Sequence, residues 1–128
     1  MQNLRPEAAA GLPYVPGVVA EGRFVFVSGQ TPTRKGQVVG ETIETQTQVV
    51  FETIEWILDD AGATLLDVVR CGVFLADLGD LTGFNVVYRR AFGDRLPART
   101  TVGAFLPGYR VEIDCIAAIP SNSERTDR

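Results

Sequence analysis

No stretch limits the fold of this chain more than Pro97 to Ala117, which reads PARTTVGAFLPGYRVEIDCIA. Thr100 to Phe105 is β-branched and aromatic, and Leu106-Pro107-Gly108 closes it. Pro107 has no N–H for a sheet ladder and Gly108 tolerates a positive φ, so the chain turns there. The returning run alternates: Val111, Ile113, Cys115 and Ala117 to one side, Glu112, Asp114 and Ile116 to the other. That is the period of a strand with one buried face. The spacing predicts a hairpin, with Arg99 where a loop hands over to the first strand and Glu112 on the second. A planar guanidinium at a strand mouth suits a bidentate grip on a small carboxylate. A carboxylate on a largely apolar strand suits proton transfer, because desolvation raises its pKa. The same two residues also read as a surface Arg and an edge-strand Glu.

The remaining chemistry is bounded by what is missing. The chain has 128 residues and no histidine, which removes His-based triads, the imidazole general base and most zinc sites. Any chemistry is therefore expected to run on carboxylates, Tyr, Ser/Thr, Arg and backbone. A net charge of -4 argues against a nucleic-acid surface, which needs a basic face. Met1 is followed by QNLRPEAAAGLP, with no apolar segment of a secretory leader, and no run approaches the ~20 apolar residues of a spanning helix. Cys71 and Cys115 lie in apolar strand-like runs and read as buried free thiols, so we expect a cytoplasmic protein.

In chain order, residues 1–12 read as a loosely tied arm, and Tyr14 to Ala20 as a first strand interrupted by Pro16 and Gly17. Glu21-Gly22 turns into a second strand, RFVFVS, making a hairpin that ends in Ser28-Gly29-Gln30. Gly29 permits close approach of a ligand or a neighbouring backbone, or simply ends the strand. Thr31 to Gly40, with Pro32, Gly36 and Gly40, reads as a loop or a short irregular excursion. From Glu41 to Ala61 the period turns helical, with Ile43, Thr47, Val50, Ile54, Ile57, Leu58 and Ala61 on one stripe and Gly62 after it. Val49 and Trp56 fall off that stripe, covering a flank of the sheet or forming an exposed patch. Val68 to Ala76 is apolar on both faces apart from Arg70 and belongs mid-sheet. Asp80 reads as the N-cap of a second helix, Leu81 to Phe92, which Gly93 ends.

The order β-β-α-β-α-β-β predicts one α+β domain over residues 1–128, a two-layer mixed sheet with both helices on one face. The ordered core is expected over about residues 13–120, with a disordered polar tail at 121–128. Two helices cannot cover both faces of the sheet, so the second face is expected to meet another subunit.

Three segments, PYVPG…GRFVFVSGQTP, DDAGATLLDVVRCGVFLADLGDLTGFNVVYRRAFG and PARTTV…LPGYRVEIDCIA, resemble the reactive-intermediate deaminase family (RidA-like, also known as YjgF or endoribonuclease L-PSP). The likeness runs from about Tyr14 to Ala118. It implies a chorismate-mutase-like fold, a homotrimer with a cleft at each subunit interface, and hydrolysis of enamines and imines such as 2-aminoacrylate to a 2-keto acid and ammonia without metal or cofactor. It further implies that Arg99 binds the substrate carboxylate and Glu112 directs water. Tyr14 would be the aromatic wall, Ser28 and Gly29 the Ser-Gly pair, and Asn85 the helix-borne amide. Thr101 would make a backbone contact at a position where the family often has Cys. PYVPG and GAFLP depart from the family's usual PYS-x-A and VARLP-like segments, and both changes touch the cleft mouth.

The residues fit that chemistry independently. Imine hydrolysis needs a carboxylate anchor, a positioned water and a proton donor, and the substrate already hydrolyses unaided, so an entropy-trapping site suffices. Two other functions compete: a non-catalytic trimer binding small carboxylates or partner proteins, and a ribonuclease or translation inhibitor. The acidic balance weighs against the last. Asp114, on the same face as Glu112, reads as structural or interface-facing.

Overall fold

The computed structural model describes residues 1–119; the expected disordered tail lies outside them. The elements are β1 (Gln2–Leu4), β2 (Gly17–Val19), β3 (Arg23–Gln30), β4 (Thr33–Arg34), β5 (Gln37–Val38), α1 (Ile43–Asp60), β6 (Val68–Leu75), α2 (Leu81–Phe92), β7 (Ala98–Gly103) and β8 (Val111–Ile119). Four strands form a mixed sheet in the order β3-β8-β6-β7. β6 runs parallel to β7, and both neighbours of β8 are antiparallel to it. The two helices pack on one face, so the fold is the expected α+β two-layer sandwich.

The helices form where the 3.6-residue period places them. Thr42 caps α1 reciprocally with Thr45: each side-chain oxygen accepts the other's backbone N–H, at 3.1 and 3.2 Å. Gly62, at φ 75°, takes the left-handed turn that stops the helix. Val49 is buried, whereas Trp56 is 76% exposed. Asp80 does not cap α2 with its side chain. Its carboxylate instead accepts from Arg110 Nη1 at 3.2 Å, and Asp77 holds the turn ahead of the helix through Gly79 N–H, at 2.8 Å.

Between the layers Phe51, Phe84, Tyr88 and Phe92 form a chain of ring contacts with centroids 4.8–6.0 Å apart. Each such pair adds about 0.5–1.5 kcal/mol beyond the area it buries. Val73, Ile113, Cys71 and Cys115 close the core from the sheet side. β6 is central, as its apolar character on both faces requires.

Three expectations about pairing are corrected. β7 and β8 are not a hairpin, because β6 lies between them. The β6–α2–β7 unit makes a parallel crossover, and β8 then returns to the other edge of β6. β2 does not pair with β3. It pairs with β1, Gln2 opposite Val19 and Leu4 opposite Gly17, so the first twelve residues are tied down rather than loose. Ala9 is buried, and Arg89 Nη2 donates to Gly11 O at 2.7 Å. The segment after β3 is a small hairpin, β4–β5, turning at Lys35 and Gly36, both at positive φ.

Among the described residues the sheet face away from the helices is left open. Phe26 is 73% exposed there, beside Phe24 at a centroid distance of 6.4 Å. Along β3 the register slips: Val27 faces Cys115 but Gln30 faces Ile113, so three steps of β3 span two of β8. This bulge falls on Ser28-Gly29.

Candidate functional site

Arg99 sits on β7 opposite Cys71 of β6, which in turn faces Cys115 of β8. That row points toward the helices. The guanidinium carbon lies 4.6 Å from the centroid of Tyr88 and 5.1 Å from that of Phe84, both on α2. These stacked rings orient the cation and shield it from water. Nε donates to Thr101 Oγ1 at 2.6 Å. Burial lowers the guanidinium below its ordinary value, and Tyr88, Cys71 and Tyr14 partly offset that.

Nη1 of Arg99 is buried and has no hydrogen-bond partner among the described residues, and the same holds for Asn85 Oδ1. Asn85 follows Phe84 on α2. Buried polar groups normally find partners, so an unpaired donor and acceptor at one helix–strand seam are open to a ligand carrying both functions. Tyr14 belongs to this corner: its neighbour Val15 bridges Ala98 and donates its N–H to Pro97 O at 3.3 Å.

Glu112 stands opposite Phe74 on β8, on the open face of the sheet. Its carboxylate lies against Gly29, where a Cβ would collide with Oε2, and Tyr109 Oη donates to Oε1 at 3.3 Å. Partial desolvation, then the Glu112 carboxylate, push the Tyr109 phenol up from its ordinary value. Ser28 and Gly29 form the bulge beside it, and Gln30 Nε2 donates to Ser28 O at 3.1 Å. Asp114, two residues on, repeats the pattern against a second glycine: its Oδ1 accepts from Gly72 N–H at 3.1 Å and stands 3.6 Å from Arg70 Nη1.

The sequence-derived residues therefore separate into two groups. Tyr14, Arg99 and Thr101 gather at the seam of β7 and α2, with Asn85 on that helix one residue past Phe84, whereas Ser28, Gly29 and Glu112 gather on the open face. Within one chain Arg99 and Glu112 are on opposite sides of the sheet. Tyr109 is a member of the second group that the motif reading passed over. Its signal was a lone phenol three residues before Glu112, across a turn. Among the described residues no three His, Cys, Asp or Glu side chains could hold a metal ion together, and no helix is long and apolar enough to cross a membrane.

Residues 3–119 match the model of the family described as endoribonuclease L-PSP. The chain is 39% identical over 105 residues to the mitochondrial protein mmf2 of Schizosaccharomyces pombe, covering 78% of this chain and 83% of that protein. Among solved structures it resembles YyfA of Yersinia pestis, described as of the conserved Rid protein family, with a TM-score of 0.71 and 32% identity over 84% of this chain and 88% of that one. It also resembles TdcF of E. coli with bound serine, with a TM-score of 0.70 and 31% identity over 84% and 89% of the two chains.

Proposed function

We propose that this chain, which belongs to the endoribonuclease L-PSP family of YjgF and Rid proteins, is a hydrolytic deaminase of small enamine and imine carboxylates such as 2-aminoacrylate. The observation that carries the reading is the Arg99 guanidinium, stacked on Tyr88 with a buried N–H that nothing among the described residues satisfies. Such a donor costs stability unless a ligand carboxylate completes it. The bound serine of the relative TdcF is a ligand of that kind, a small amino-acid carboxylate.

The substrate carboxylate pairs with Arg99, and Asn85 Oδ1 accepts from the substrate nitrogen. Tyr14 walls the site, and the backbone at Thr101 contributes a further contact. After the enamine tautomerises, water adds to the imine carbon. Glu112 takes its proton and passes it to nitrogen, ammonia leaves, and the carbonyl of the 2-keto acid forms. Held in this geometry, an already electrophilic substrate needs no stronger catalyst.

Because the two groups lie on opposite faces of one sheet, each working site takes Arg99 from one subunit and Glu112, Ser28 and Gly29 from the next. A repeated contact between two unlike surfaces closes into a ring, and the family resemblance favours a ring of three. The free buried thiols support a reducing compartment such as the cytoplasm. The net charge of -4 disfavours the ribonuclease reading.

The test follows from the shared site. Arg99→Met and Glu112→Gln are each expected to be nearly inactive in removing 2-aminoacrylate generated in situ. Unfolded together and refolded as mixed rings, they should regain about a quarter of wild-type activity, the fraction of interfaces that receive both intact residues. No recovery would place both residues within one chain's site. A wild type that binds pyruvate without speeding the decay of 2-aminoacrylate would leave a carboxylate-binding ring in place of an enzyme.

A further inference from the structure

The clamp on Glu112 has a member that the deaminase reading does not use. Tyr109 precedes β8, and its hydroxyl donates to Glu112 Oε1 at 3.3 Å. A phenol on a free turn would make such a contact only in passing. This turn is not free, because the adjacent residue is tied at both backbone and side chain. Arg110 N–H donates to Gln46 Oε1 at 2.8 Å, and its carbonyl accepts from Ala76 N–H at 3.0 Å. Its guanidinium reaches Glu41 O and Asp80 Oδ2, both at 3.2 Å. Gln46 is itself buried and anchored to Gly40 O at 3.0 Å. The start of β8 is thus bolted to the N-terminal end of α1 and the entrance of α2, and Tyr109 hangs from that fixed point.

The far side of the same carboxylate lies against Gly29, whose missing Cβ leaves room for it. One oxygen is held by a phenol and the other faces the bulge at Ser28-Gly29. A glutamate on an open sheet face has three side-chain torsions to lose, and both contacts act on the last of them.

We propose that Tyr109 is a positioning residue of the site, fixing the Glu112 rotamer so that Oε2 is the oxygen presented to water. This rests on the deaminase reading for its catalytic consequence but not for the contact itself. Tyr109 neither touches substrate nor transfers a proton; it acts through Glu112 by removing rotamers in which the carboxylate turns away.

Two measurements test it. Tyr109→Phe keeps the ring and loses the hydroxyl, so kcat for 2-aminoacrylate should fall about three- to tenfold with KM unmoved, the size of one net hydrogen bond. In a Glu112→Gln background the same substitution should cost nothing further, whereas an additive loss overturns the proposal. Independently of any activity, the alkaline absorbance difference between the parent protein and its Tyr109→Phe variant isolates the Tyr109 phenol. That phenol should titrate at lower pH when the parent is Glu112→Gln than when it is wild type. Identical titration in the two backgrounds overturns the clamp. An inactive wild type whose Tyr109 still responds to Glu112 would overturn the deaminase reading alone, and the clamp would stand.

Discussion

The carboxylate of Glu112 fills the place where a side chain on Gly29 would begin. A Cβ there would collide with Oε2, with the carboxyl carbon at 3.0 Å. The obstacle is the free end of a flexible side chain, so Gly29→Ala should leave folding nearly intact, with a melting temperature within a few degrees of wild type. It should move the carboxylate and lower deaminase turnover by about 10²-fold, the scale of a small misplacement. Steady-state kinetics beside a thermal melt check it; full turnover would mean that the position of Glu112 is immaterial.

Arg99→Lys is expected to lose about 10- to 1,000-fold in kcat/KM, because an ammonium cannot reproduce the fork or the stacking on Tyr88. Thr101→Val removes the acceptor of Arg99 Nε. It should weaken calorimetric binding of pyruvate about tenfold or more, as expected of a hydrogen bond to a charged group. Thr101→Ser should restore it. Unchanged affinity in the Val variant would show that Thr101 does not orient the guanidinium.

Phe26→Asp should break the ring. Phe26 is exposed on a sheet face that the helices do not cover, and burying a new charge there without a partner is costly. Light scattering should then return about 13.9 kDa, the mass of one chain, and activity should vanish with assembly. Wild type already at that mass would overturn the shared site.

The thiols predict an alkaline limit to stability. Burial pushes Cys71 from 9.0 up to about 12, and Cys115 and Tyr88 are also pushed up, chiefly by burial. Each holds its proton more tightly when folded, so their contribution is full below the unfolded pKa and is lost as pH rises toward the folded one. Melting temperature should be flat near neutrality and fall between pH 9 and 12, with a shallower fall in Cys71→Ala. Neither thiol should react with Ellman's reagent until the protein unfolds. Rapid native reaction at pH 8 would contradict the burial.

Much of this architecture is written in local periodicity. Both helices fall where their apolar stripes predict, β6 is central because both of its faces are apolar, and the faces of β8 follow its alternation. Pairing is not written there. A turn at Pro107-Gly108 is compatible with a hairpin or with a strand that skips a neighbour, and only the parallel β6–β7 register decides. The three residues of β1 are too few to carry a period. Motif and chemistry single out Arg99 and Glu112, but which side of the sheet Arg99 takes depends on its register against Cys71. Nothing local to Pro97-Ala98-Arg99 encodes that. Tyr109 escaped because its importance comes from Arg110, Gln46 and Asp80, contacts that cross 30 and 64 positions of the chain.

The slip in register at Ser28-Gly29 also governs which kinds of inherited change the chain can absorb. Side chains alternate along β3, so losing one residue from its regular run, Arg23 to Val27, would turn over the residues on one side of the gap. Apolar core would turn outward, the exposed rings inward, and Glu112 would lose the glycine it rests on. The turn at residues 104–110 is bound at its two ends, where Ala104 N–H donates to Leu75 O at 3.0 Å and Arg110 reaches Gln46, Glu41 and Asp80, so residues added between those ends leave every sheet register as it was. Descendants of this chain can therefore diverge in length at the mouth of the site. Along Arg23 to Val27 they are confined to exchanging one residue for another.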